Sequence, residues 1–311
     1  MKNELIDEII ACLPHERTVF RYFKGQYAYL LLSYAAQRYK HVREIKQSAY
    51  QRLLNHPEIK TLLSLSGKGT ISPDTFDYSW KNTSESFVLT LDRWGSANRY
   101  IDQVTRPGSN LVLQLNFSEK HNRAYQKMVK PIDEFVFNYN GHPVMAKNKR
   151  HFFRDTLAWS RLDIDFEKGE VLIEEIQSDW VRRVKTCLTA IKSGKPHYFL
   201  NICDCEPKQF IAYVENVLAP MLVIWSEAML MATISFIYTE LGIRKIFYHT
   251  YETGSRLKQI TGKPPRSIYS DLPRKFCFEL TDEAPVFLQQ DKYFKRTQRK
   301  MKKINWYQLE L

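Results

Sequence analysis

This chain of 311 residues predicts an α+β fold with a mixed, largely antiparallel sheet and a helical N-terminal region. Three observations carry that reading. Apolar residues recur at helical spacing through the first 65 positions. From about residue 86 the pattern changes to short runs of β-formers separated by turn residues. The second half then reads helix, strand, helix, strand. A meander followed by alternating elements is the order of folds built on one mixed sheet.

Each element has its own signal. Leu5, Ile9 and Ile10 form a short helical stripe that Pro14 ends. Between Thr18 and Leu54, positions such as Phe20, Phe23, Tyr27, Leu30, Leu31 and Tyr34 repeat every three or four residues and predict helix. Ser66 to Pro73 is loop chemistry and a natural boundary, which divides the chain into a helical region, 1–66, and an α+β core with a basic tail, 74–311. Phe87–Leu91 and Asn110–Leu115 are rich in β-formers. Glu134–Tyr139 leads into Asn140-Gly141, a hairpin signal. Leu157–Phe166 alternates, turns at Glu167-Lys168-Gly169 and pairs with Val171–Ile176. Residues 182–192 predict a basic helix, and 196–205 a short strand. Pro220 precedes a helix from Val223 to Leu241, closed by Gly242. Lys245–Thr250 predicts a strand, Glu252–Ile260 a helix, and Arg274–Leu280 a last strand.

Composition bounds the function. No apolar run approaches the roughly 20 residues of a membrane span, so no membrane partner is expected. The first residues lack an apolar leader core. Five cysteines without framework spacing fit reduced thiols and a cytoplasmic location. Cys203 and Cys205 with His197 lack the paired spacing of a zinc site, so no metal is expected. Lys and Arg number 46 against 34 Asp and Glu, a net charge of +12 that attracts polyanions. The basic residues cluster at Lys147, Lys149 and Arg150, at Arg182 and Arg183, and at Lys295, Arg296, Arg299, Lys300, Lys302 and Lys303. They are the candidate contacts to RNA or DNA, or to an acidic partner. A solvated basic surface is the plainer alternative.

The densest chemistry lies in Glu174-Glu175-Ile176-Gln177-Ser178-Asp179-Trp180. Leaving several polar groups buried and unpaired costs about 1–3 kcal/mol each, so the stretch lines a pocket or forms a tight network. Alternation along a strand puts Glu175, Gln177 and Asp179 on one face, and Glu174, Ile176 and Ser178 on the other. Adjacent carboxylates raise one another's pKa, which suits a general acid or base. Glu175 is the first choice for a base, with Gln177 and Asp179 orienting substrate. The rival reading is a hydrogen-bond network that fixes the sheet. His249 is a further catalytic candidate at a strand end. Ser178, Trp225 and Glu227 are candidates for substrate contact, although Trp225 also fits a core position.

The same stretch, with Leu157-Ala158-Trp159-Ser160-Arg161 before it, resembles a domain found in large polyvalent proteins of phages and conjugative elements. In that family the acidic-Gln-Ser-Asp-Trp strand is followed by a proline, a tryptophan-led helix and a strand. Here these are Pro220, Trp225 to Leu241, and Lys245 to Thr250, so the resemblance covers roughly 155–260. It implies a setting of conflict between phages, plasmids and hosts, and no particular reaction. A free-standing basic chain of this kind is similar to toxin or effector components of phage-defence modules, including toxins that accompany retrons. Such a chain is expected to work beside an acidic antitoxin or a nucleoprotein.

The element order also resembles acetyltransferases of the GNAT type. That likeness implies a transferase-like activity on or near nucleic acid or the translation machinery, and a catalytic role for Tyr251 as general acid. It also raises acyl-CoA as a cofactor. The Gln/Arg-x-x-Gly-x-Gly/Ala loop that would hold its pyrophosphate is absent, and Leu218-Ala219-Pro220-Met221 stands there instead. The alternative is a non-enzymatic module that binds nucleic acid or docks a partner.

Overall fold

A computed structural model describes residues 1–12, 17–65, 67, 69–78, 83–95, 102–147, 151–195, 200–258, 265–300 and 304–311. Its strands are β1 (Thr18–Tyr22), β2 (Glu85–Trp94), β3 (Asn110–Phe117), β4 (Thr156–Asp165), β5 (Glu170–Gln177), β6 (Lys245–His249), β7 (Glu279–Thr281) and β8 (Trp306–Glu310). They form one open sheet in the order β1-β2-β3-β4-β5-β6-β8-β7. Every neighbouring pair is antiparallel except β5–β6, which is parallel and joined through helices. The fold is the α+β class that the sequence predicts.

The main helices are α1 (Asn3–Ala11), α2 (Gln26–Arg38), α3 (Pro57–Leu65), α4 (Glu119–Val129), α5 (Asp179–Lys192), α6 (Pro207–Glu240), α7 (Tyr251–Leu257) and α8 (Lys292–Lys300). Helix α6 carries the main core. Ala228 to Ala232, Ile234 and Ile237 are all buried there. The Ser160 hydroxyl meets Thr233 at 2.8 Å, which places α6 on the Ser160 face of β4. This is the helix among the described residues with the length and apolarity to cross a membrane, and most of its apolar window is buried within the fold. Averaged over a window, it exceeds what its uninterrupted apolar runs suggest.

Three expectations are corrected here. Helix α6 starts at Pro207 rather than after Pro220. Proline has no N–H to give a preceding turn, and a π-helical stretch, Val214–Leu218, absorbs the irregularity just before Ala219-Pro220. Thr18–Tyr22 is an edge strand and not helix, because Gly25, at φ 88°, turns the chain before α2 begins. Glu134–Tyr139 forms no strand. The Arg183 guanidinium takes the carbonyls of Phe135 and Val136 at 2.7 and 2.5 Å, so the segment lies on the sheet without pairing into it.

Smaller differences follow the same logic. Residues 200–205 hold a single bridge, Pro131 to Cys203, in place of a strand. Strand β7 is only Glu279–Thr281, and the end of the basic tail forms a further strand, β8, inserted between β6 and β7. The second face of the sheet carries a smaller apolar cluster that includes Leu172, Phe247, Phe287, Phe294 and Trp306.

Candidate functional site

The polar stretch is shaped by an irregularity in β5. Pairing with β4 sets Gln177 opposite Trp159, Glu175 opposite Arg161 and Ile173 opposite Leu162, so the register skips Glu174. Two residues stand where simple alternation has one. Bulges of this kind re-aim side chains and recur beside active sites. As a result the Glu174 carboxylate enters the same polar layer as Glu175, instead of the opposite face that alternation predicts.

Glu174 lies in a centre with no solvent exposure. It accepts the Thr105 amide at 3.0 Å and the Thr105 hydroxyl at 2.7 Å. His249 Nε2 is 2.9 Å from that hydroxyl and 3.3 Å from Glu174, while Nδ1 is 3.1 Å from the Thr253 hydroxyl. Because the Thr105 proton goes to the carboxylate, its oxygen accepts from His249 Nε2–H. Lys258, also buried, donates to the Glu174 carbonyl at 2.8 Å. Burial alone raises the Glu174 pKa, but the bond to His249 and the charges of His249, Lys258 and Arg161 reverse this and hold it at about 2. Burial, with the charges of Lys258 and Arg161, lowers the His249 pKa by more than Glu174 raises it, which favours the neutral ring.

Glu175 is next to this centre and is partly open, with 14% of its side chain exposed. It binds Arg161 at 2.5 Å. Arg161 in turn holds the carbonyls of Asp102 and Gln103, and its guanidinium lies over Trp94. Burial raises the Glu175 pKa, and Lys258, Arg161 and His142 more than offset it, so the carboxyl stays below its ordinary range. That corrects the expected upward shift. The neighbours of Glu175 are cations as well as carboxylates, so it is a poor proton donor at neutral pH.

At the end of β5 the motif changes role residue by residue. Gln177 Nε2 donates to Asp179 Oδ1 at 3.2 Å. Ser178 caps α5, accepting the Val181 amide at 3.2 Å and donating to the Leu157 carbonyl at 2.6 Å. Trp180 is fully buried among Phe117, His121, Tyr125 and Phe137 and fixes the start of α5. The Asp179 carboxylate, itself unexposed, accepts His142 Nδ1 at 2.8 Å, the Tyr139 amide at 3.2 Å and Arg182 at 2.7 Å. Since His142 Nδ1–H is the donor, Nε2 carries the free lone pair. The ring is 33% exposed and sits against Trp94, Tyr139 and Trp159. An aspartate that fixes the tautomer of a half-open histidine gives a proton acceptor at a defined place.

Several expected residues take other roles. Glu175, Gln177 and Asp179 do come together. His249 is near Glu174 but sealed from solvent. Ser178 is consumed as a helix cap. Glu227 lies in α6 across the sheet, where it holds Tyr22, the Gly25 amide and Lys275. Trp225 and Tyr251 are partly buried against the main core. Arg182 and Arg183 flank the site, with their guanidinium carbons 5.1 and 3.8 Å from the Tyr139 ring centroid. Lys147 is exposed near Glu134, and Lys295, Arg296, Arg299 and Lys300 are exposed along α8. Lys149, Arg150, Lys302 and Lys303 lie outside the described residues. The residues that sequence reasoning missed are His142, Glu174, Thr105, Arg161 and Lys258.

The chain does not fit acyl-CoA in the expected way. Residues 218–221 lie inside the continuous helix α6, and an interior turn offers no free N-terminal amides to a pyrophosphate. No family model, curated protein or solved structure matches this chain.

Proposed function

We propose that the protein is a transferase-like effector in which His142 is the general base, and that it acts on a phosphate-bearing, nucleic-acid-like acceptor. The observation that carries this reading is the 2.8 Å contact between His142 Nδ1 and buried Asp179, which points Nε2 away from its partner. Nε2 takes the proton of an attacking hydroxyl or amine. Asp179 stabilises the resulting imidazolium, and that proton then passes to the leaving group of the donor. Glu175 and Gln177, on the same face of β5, orient the acceptor. Arg182 and Arg183 beside half-exposed Tyr139 suit phosphate contact and base stacking. The parallel β5–β6 pair, reached from an antiparallel meander through helices, supports the acetyltransferase-like side of the reading without acyl-CoA. A role in phage or plasmid conflict rests on the sequence resemblance.

The second reading is a non-enzymatic binding module. Its support is that Glu175 and Asp179 are fully paired within the chain, as a structural network requires. Growth of cells expressing wild type, Glu175→Gln and Asp179→Asn at matched soluble levels separates the two. Arrest by the wild type alone is expected. Equal arrest by all three, or by none, would sink the catalytic reading.

A further inference from the structure

At the opposite end of the sheet lies a basic groove that the reaction does not use. Two cavities, of about 470 and 510 Å³, share Lys46 in their walls. The first runs between α2 and the end of β8 and includes Arg38 and Tyr39. The second includes His41 and Arg43. Arg244 lies outside both walls, and its carbonyl accepts the Leu311 amide just past β8. Glu310 and Glu279 are the acidic residues in the first wall, and Glu310 is only loosely paired to Arg38 at 3.9 Å. Glu44 is occupied with the amides of Lys40 and His41. The first cavity is thus balanced, Arg38 and Lys46 against Glu279 and Glu310, and the second, with Arg43, Lys46 and His41, carries the positive excess.

Tyr39 lines the first cavity, and Tyr238 lies outside both walls, packed on Tyr34 with ring centroids 4.6 Å apart. Arg38 lies 5.7 Å from the Tyr39 ring, and Arg244 lies 5.7 Å from the Tyr238 ring. Both rings are half-buried, and the Tyr238 hydroxyl is tied to Gln37 at 2.5 Å. Glu310 pairs with Lys245, which pairs with Glu170. The groove thus starts at the far end of β5 from Gln177, roughly 23 Å away at 3.3 Å per residue.

We infer that this groove is a track for single-stranded nucleic acid, separate from the His142 site. Spaced cations follow a phosphodiester backbone, and tethered half-exposed rings offer stacking surfaces that unpaired bases reach and duplex bases do not. The inference stands on the groove itself and is independent of the proposed reaction.

The test is fluorescence anisotropy with labelled single-stranded RNA and DNA homopolymers and a duplex of equal length. It compares the wild type, the double variant Arg43→Glu with Lys46→Glu, Arg38→Glu alone, and Lys208→Glu at the start of α6. Single strands of either sugar are expected to bind more tightly than the duplex. The double variant should lose at least about tenfold in affinity and flatten the salt dependence by about one unit per phosphate contact removed. Lys208→Glu, which lies in neither cavity wall, should bind as the wild type does. All substituted side chains are solvent-exposed, and an unchanged melting curve for each variant would verify the fold. Failure of the wild type to bind single strands would overturn the inference. So would equal affinity for duplex, or groove variants that bind like wild type.

Discussion

Two histidine–carboxylate pairs share one polar layer, and they differ in access. Glu174–His249 is sealed, with both side chains at 0% exposure and the Thr105 and Thr253 hydroxyls packed against the pair. Asp179–His142 has an equally buried carboxylate and a histidine that is one-third open. The first pair locks the bulge of β5 to the loop at Thr105 and to the end of β6. The second leaves one ring nitrogen unspent. A strongly perturbed ionisable group marks a strained electrostatic environment, and only access turns that environment into a site.

Breaking the sealed pair should cost the most. Glu174→Ala removes the acceptor of the Thr105 amide and hydroxyl and leaves Lys258 and Arg161 with less counter-charge. The expected loss is about 3–5 kcal/mol, read by urea denaturation. A loss below about 1 kcal/mol would show that the centre is not structural.

A third carboxylate sharpens the contrast, because it is buried with little positive charge to hold it. Asp155 accepts Asn122 at 2.8 Å, and burial raises its pKa from 3.8 to about 7. Between those values the folded form keeps a proton that the unfolded chain has released. Stability contributed by Asp155 is therefore full below pH 4 and is lost as pH rises toward 7. The loss is on the order of 4 kcal/mol. Asp155→Asn should abolish this part of the decline when melts at pH 5 and pH 8 are compared. An identical decline in wild type and variant would refute it. The smallest effect belongs to Arg182→Ala. Its side chain is 56% exposed, and three other donors still hold Asp179. A change within about 1 kcal/mol is expected in the same denaturation assay.

Much of the fold was legible. The strands from Phe87 to Ile176 follow from alternation and turn chemistry, and Lys245–His249 from an apolar run after a glycine cap. The site was half legible. Glu175, Gln177 and Asp179 fall two residues apart, so period-two reasoning groups them. Glu174 escaped because a bulge breaks that period, and no residue type announces a bulge. His142 escaped because it is 37 positions from Asp179 in a segment that reads as a hairpin. The stretch before it is held by Arg183 through the carbonyls of Phe135 and Val136, a contact that local patterns do not encode. Glu227 misled for the opposite reason: a carboxylate in an apolar helix looks functional, yet it pins the turn before α2. The strand β8 was hidden by the basic run before it.

The most direct test of the account is growth of cells expressing His142→Ala beside wild type and His249→Ala, with soluble protein and melting temperature measured in each. The account predicts that His142→Ala no longer arrests growth while melting as the wild type does, and that His249→Ala is chiefly destabilised. Arrest by a well-folded His142→Ala protein at the wild-type level would contradict it.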